Sequence, residues 1–148
     1  MLDFVDYASP MPDYFDTPDD TRLVAHVLVM GEPKSKGRPR FRAGQGAYTD
    51  KGTVEAERRV RDAFLAVDVP DYRLDATFRL DVDFYLGTRR HVDLDNLVKL
   101  VKDALNGVAY TDDHLIVDER ARKWHTNRDR ARTELFLYVV PGDREEAA

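Results

Sequence analysis

A chain of 148 residues with no cysteine has room for one domain with a proper core, and it excludes disulfides, thiolate metal sites and cysteine nucleophiles. The formal charge of -5 looks unsuited to an anionic partner, but it is unevenly spread. Residues 1–20 hold six acids (Asp3, Asp6, Asp13, Asp16, Asp19 and Asp20) and no base, residues 141–148 carry -2, and residues 21–140 are left at +3, the local field that a phosphate backbone feels.

No basic residue precedes Arg22, and no apolar run approaches the roughly 18 residues of a membrane helix. The expectation is a soluble, cytoplasmic protein without a membrane partner. Residues 1–22, with three prolines and no hydrophobic period, read as an acidic, flexible leader. Residues 23–140 read as the folded domain and 141–148 as an acidic tail.

Leu23 to Met30 is apolar enough for a first strand, ended by Gly31 and Pro33. A loop with four glycines and two prolines fills 31–47. Thr49 or Asp50 is placed to cap a helix reaching about Val67, with Ala56, Val60, Ala63, Phe64 and Val67 on one face. From Asp75 to Leu86, apolar Ala76, Phe78, Leu80, Val82, Phe84 and Leu86 alternate with polar residues, which predicts a half-buried strand with Asp81 and Asp83 solvated. A second helix starts near Asp95, carries Leu97, Leu100, Val101, Ala104 and Leu105 inward, and stops at Asn106-Gly107. Strands follow at about Leu115–Thr126 and Thr133–Val140. The order β-α-β-α-β-β implies an α+β fold: a small mixed sheet with two helices packed on it.

The chemistry concentrates in Asp93-Leu-Asp95-Asn96-Leu-Val-Lys99, followed by Asp112-Asp113. In extended backbone Asp93 and Asp95 point the same way. A hard divalent cation between them relieves their repulsion, and Mg²⁺ suits one or two carboxylates plus displaceable waters. A turn that folds back brings Asp113 to the pair. Lys99 lies one helical turn beyond Asp95, where an ammonium stabilises the charge of a phosphoryl transition state. The same residues also suit plain structural work, Asp95 as a helix cap and Asp112-Asp113 as turn residues. An EF-hand is excluded, since Leu97 and Val98 stand where a ligand and a glycine are needed. A sugar-nucleotide Asp-x-Asp site lacks a Gly-rich phosphate turn.

Lys34, Lys36, Arg38, Arg40 and Arg42 alternate with small or rigid residues, with no acid among them. Such density fits phosphate contacts whose strength falls steeply with salt. Arg89 and Arg90 stand just before Asp93, placed to steer a phosphate toward it. His91 and His114 flank the acids and read as supporting residues, His26 as packed, and Tyr48 and Trp124 as packing aromatics. A second basic stretch runs through Arg120, Arg122, Lys123, Arg128, Arg130 and Arg132.

Together these residues resemble the RusA family of Holliday-junction resolvases, common in phages and prophages. Three blocks carry the likeness: Gly31-Glu-Pro33-Lys34-Ser-Lys36-Gly-Arg38-Pro39-Arg40; Asp93-Leu-Asp95-Asn96-Leu-Val-Lys99 through Lys102-Asp103-Ala-Leu105-Asn106-Gly107; and Tyr110-Thr-Asp112-Asp113-His-Leu-Ile116 with Lys123 downstream. The resemblance implies a homodimer that uses Mg²⁺, or Mn²⁺, to nick opposite strands of a four-way DNA junction in a bacterial or phage-infected cell. It implies metal ligands Asp93, Asp95 and Asp113, with Asp112 the adjacent alternative, and Lys99 as catalytic lysine. It carries over the basic loop from Lys34 to Arg42 with less weight. A broader structure-selective nuclease and a non-cutting branched-DNA-binding protein are the competing expectations. The acidic leader has no counterpart in the family pattern; tethered beside a basic cleft, its six acids would mimic phosphates.

Overall fold

The computed structural model describes residues 21–38 and 40–141. The leader, apart from Thr21 and Arg22, and all of the tail after Pro141 lie outside the described residues. Six strands and two helices are found among them: β1 (Arg22–Met30), β2 (Arg40–Arg42), β3 (Gly46–Tyr48), α1 (Lys51–Leu65), β4 (Thr77–Leu86), α2 (Leu94–Leu105), β5 (Ile116–His125) and β6 (Arg132–Val140). The main sheet has the order β1-β6-β4-β5. β6 pairs antiparallel with both β1 and β4, whereas β5 runs parallel to β4. The fold is α+β with two helices on a mixed sheet, as the sequence implies. The difference is a separate hairpin of β2 and β3 inside the expected loop.

One face of the sheet supplies the core. Phe78, Leu80, Val82, Phe84 and Leu86 of β4, with Leu135 and Leu137 of β6, form one buried cluster with Val60 and Phe64 of α1 and Leu97, Leu100, Val101, Ala104 and Leu105 of α2. Both helices present their apolar stripe there, and transfer of that surface from water is the main stabilising term.

The opposite face of β4 overturns an expectation. Asp81 and Asp83 are not solvated: they are 6% and 2% exposed, beside an Arg79 with 0% exposure. Arg79 donates to both carboxylate oxygens of Asp81 at 2.9 and 2.7 Å. Asp83 accepts from Arg122 at 2.8 and 3.2 Å and from the Trp124 indole at 2.9 Å. Glu134, equally buried, meets His26 at 2.8 Å, and the His26 ring stacks on Phe136. Buried charges persist where they are paired and hydrogen-bonded. Alternation signalled the strand, but it does not reveal that polar side chains on adjacent strands satisfy one another.

Candidate functional site

The end of the sheet where β4 stops is built by short-range constraints. A Cβ at Gly87 would stand 2.7 Å from the Arg128 Cα, so only glycine lets the turn after β5 cross so closely. The Glu32 carboxylate accepts from the Gly87 amide at 2.9 Å and the Thr88 hydroxyl at 3.0 Å. Lys123 of β5 donates to the Val92 carbonyl at 2.7 Å, which fixes the residue before Asp93. Between these walls lies a cavity of about 950 Å³, lined by residues 86–93 and by Lys123, His125, Thr126, Asn127 and Arg128.

Asp93 is on the rim. It is the N-cap residue of α2, with φ -72° and ψ 130°, and its carbonyl accepts from Leu97 N–H at 3.2 Å. Its carboxylate makes no capping bond. Asp50 is the contrast: its carboxylate accepts from Thr53 N–H at 2.6 Å and caps α1. Asp95 is in the first turn of α2, two residues past the cap, so capping is not its work. Both carboxylates are exposed and lack a hydrogen-bond or ion-pair partner among the described residues. The positive end of the α2 dipole favours their charge. Lys99, one turn on, is exposed and equally unpaired.

Asp113 is elsewhere. It opens a short 3-10 turn, Asp113–Leu115, that leads into the start of β5. Tyr110 holds the approach: its ring is fully buried beside Phe78 and its hydroxyl donates to the Lys102 carbonyl at 2.9 Å. Burial, with Asp113 the next cause, pushes the Tyr110 hydroxyl pKa far above its usual value. Asp112 pairs with the His114 imidazole, whose hydrogen bond is the largest of the effects holding its carboxyl below the usual range. β5 begins opposite Phe78, at the start of β4, and ends opposite Leu86. α2 runs back between them, tied to β5 by Lys102–Glu119 at 3.0 Å near one end and by Lys123 at the other. Its 12 residues span about 18 Å, so Asp113 is about one helix length from Asp93. Among the described residues no group of three His, Asp or Glu side chains is placed to hold a metal ion. The structure thus keeps Asp93, Asp95 and Lys99 at one end of α2 and leaves Asp113 at the other. Asp93 and Asp95 suit Mg²⁺, which needs only one or two carboxylates from the protein; the expected third carboxylate of the same chain does not fit with them.

The basic residues also divide. Arg89 and Arg90 line the cavity and are exposed, without an acidic partner among the described residues. Lys34 and Arg38 are exposed and likewise unpaired. Arg42 is exposed on the hairpin, over the Tyr48 ring at 5.2 Å. Arg40 belongs to β2, and its side chain lies outside the described residues. Lys36 is different. It bridges Glu57 of α1 and Asp103, at 3.0 Å, of α2. Burial lowers its pKa, but the two carboxylates outweigh that and leave it raised. The backbone amide of Lys36 donates to Asn96 O at 2.9 Å, which pins the basic loop to the first turn of α2. Sequence reasoning passed over His125, Asn127 and Arg128 as parts of the site; only the turn after a basic strand signalled them.

Comparison with known proteins finds one relative and one family. The Bacillus subtilis (strain 168) protein YqaN, described as uncharacterized, is 27% identical over 69% of this chain and 88% of its own length. The family described as Endodeoxyribonuclease RusA matches residues 30–137. That match runs from the last residue of β1 into β6 and takes in every element that shapes this end of the molecule: the chain belongs to the RusA family of endodeoxyribonucleases.

Proposed function

We propose that the protein nicks four-way DNA junctions in paired fashion as a homodimer, with Mg²⁺, or Mn²⁺, as cofactor. The observation that carries this is the Asp93 carboxylate, uncapped at the head of α2 and on the rim of a cavity lined by cations. Asp93 and Asp95 would hold the metal, which when bound supplies Lewis-acid polarisation of the scissile phosphate and an activated water. Arg89 and Arg90 grip the phosphates of the strand passing through the cavity. Lys99 supports the charge that grows on the reacting phosphate. Lys34, Arg38 and Arg42 hold a neighbouring arm by its backbone. Contacts of this kind position the substrate without reading base sequence.

The test uses an immobile junction and a linear duplex of the same sequence, with Mg²⁺ or EDTA. Wild type should place symmetric nicks in the junction alone, and EDTA should abolish them. Asp95→Asn should lower the rate by about 10²-fold or more while still binding the junction. Equal cutting of the duplex would make this a general nuclease. Junction binding without cutting would return the carboxylates to structural duty.

A further inference from the structure

We propose that the β2–β3 hairpin is a wedge that lays the Phe41 ring on a base unstacked at the branch of a DNA junction. This rests on the nuclease reading above and adds to it how a branch is told from plain duplex. Phe41 is the most exposed large apolar side chain among the described residues, at 79%, and it lies outside the core cluster. Its cross-strand partner is Ala47, whose methyl is too small to cover a phenyl ring. Successive side chains of a strand face opposite ways: Arg42 lies over the Tyr48 ring at 5.2 Å, and Phe41 takes the other face. A phenyl ring left in water forgoes the gain of burial and is available to a ligand that offers an apolar face.

Charge selects the ligand. Residues 40–48 carry two arginines and no acid, and Lys34 and Arg38 stand exposed just before them. Two copies of this hairpin repel each other, whereas a polyanion is drawn to it. Nucleic acid is the polyanion whose apolar surface is the face of its bases, and the family acts on DNA. In an intact duplex those faces are covered by stacking. A branch interrupts the stack, and an aromatic wedge fills the gap. The hairpin is rooted where the carboxylates stand. The Lys36 amide donates to Asn96 O at 2.9 Å, next to Asp95, and the Gly37 amide donates to the Thr53 hydroxyl at 3.3 Å, at the head of α1. Phe41 follows Lys36 by five residues, a reach of at most about 18 Å, or about five base steps along a strand. A Cβ added at Gly44 or Gly46 would meet nothing within 4 Å, so the turn of the hairpin stands clear of the domain.

Binding titrations of the full chain in EDTA, against an immobile four-way junction and a linear duplex of the same sequence, test this without any cutting. Phe41→Ala should weaken junction binding by about 10-fold or more and leave both duplex affinity and the salt slope at their wild-type values. Phe41→Trp should keep the junction affinity. Its added indole emission, read over the baseline of Trp124, the one tryptophan of the wild-type chain, should be quenched by the junction and not by the duplex. Equal losses of Phe41→Ala on junction and duplex overturn the proposal, as does an unchanged junction affinity or an introduced indole that the junction does not quench. A change in sedimenting mass of Phe41→Ala would make the ring a contact between copies and overturn it too. If the expected pattern holds but wild type with Mg²⁺ nicks nothing, the wedge stands and the nuclease reading falls. If wild type nicks and Phe41→Ala binds and nicks equally well, the wedge falls and the nuclease reading stands.

Discussion

Asp50 and Asp93 occupy the same position on two helices, yet only one of them works as a cap. The Asp50 carboxylate satisfies an amide that would otherwise be orphaned, at 2.6 Å, whereas the Asp93 carboxylate leaves its helix start to solvent. Asp50→Ala should lower stability by about 1 kcal/mol in urea unfolding. Asp93→Ala should change it by less than about half of that, through the helix dipole alone, while abolishing nicking. Equal losses of stability would mean that Asp93 does structural work. Sequence placed both residues correctly near helix starts. It could not separate them, because aspartate is equally apt for either task.

The basic loop between β1 and α1 is two devices at the scale of the element. Lys36 ties α1 to α2 through Glu57 and Asp103, and its amide fixes the loop to Asn96. Lys34, Arg38 and Arg42 are left exposed. Lys34→Ala should reduce the salt slope of junction binding by about one and leave stability unchanged. Lys36→Ala should do the reverse: an unaltered slope, with a lower midpoint of urea unfolding. Binding titrations at several salt concentrations, set beside the unfolding curves, decide between them. From sequence all five basic residues looked alike, since the acids that neutralise Lys36 are supplied by two helices distant along the chain. The hairpin of β2 and β3 escaped for another reason. Its strands are three residues each, too short for a period-two pattern to register, and glycines with positive φ at 44 and 46 read simply as loop. Where the pattern was long, as over β4 and α2, periodicity gave elements and inward faces correctly. It gave no strand pairing, and the expectation that Asp113 folds back to Asp93 failed on the parallel course of β5.

Across the whole molecule, charge is held in two unlike ways. On the sheet face opposite the helices, Arg79 with Asp81 and Arg122 with Asp83 are close, hydrogen-bonded pairs whose carboxylates are shielded from solvent. Around the cavity and along the loop, Arg89, Arg90, Lys34 and Arg38 stand in water without acidic partners among the described residues. Mobile ions screen the second population strongly and the first weakly. Rising ionic strength should thus release DNA long before it loosens the fold. Between 50 and 500 mM salt, junction affinity should fall by orders of magnitude while the unfolding midpoint stays nearly constant; a parallel decline of both would show that the sheet pairs are open to solvent. The shielded carboxylates of β4 therefore have a practical consequence at the bench: concentrated brine can wash nucleic acid from this protein during purification and return it folded, clean and ready to be given a defined substrate.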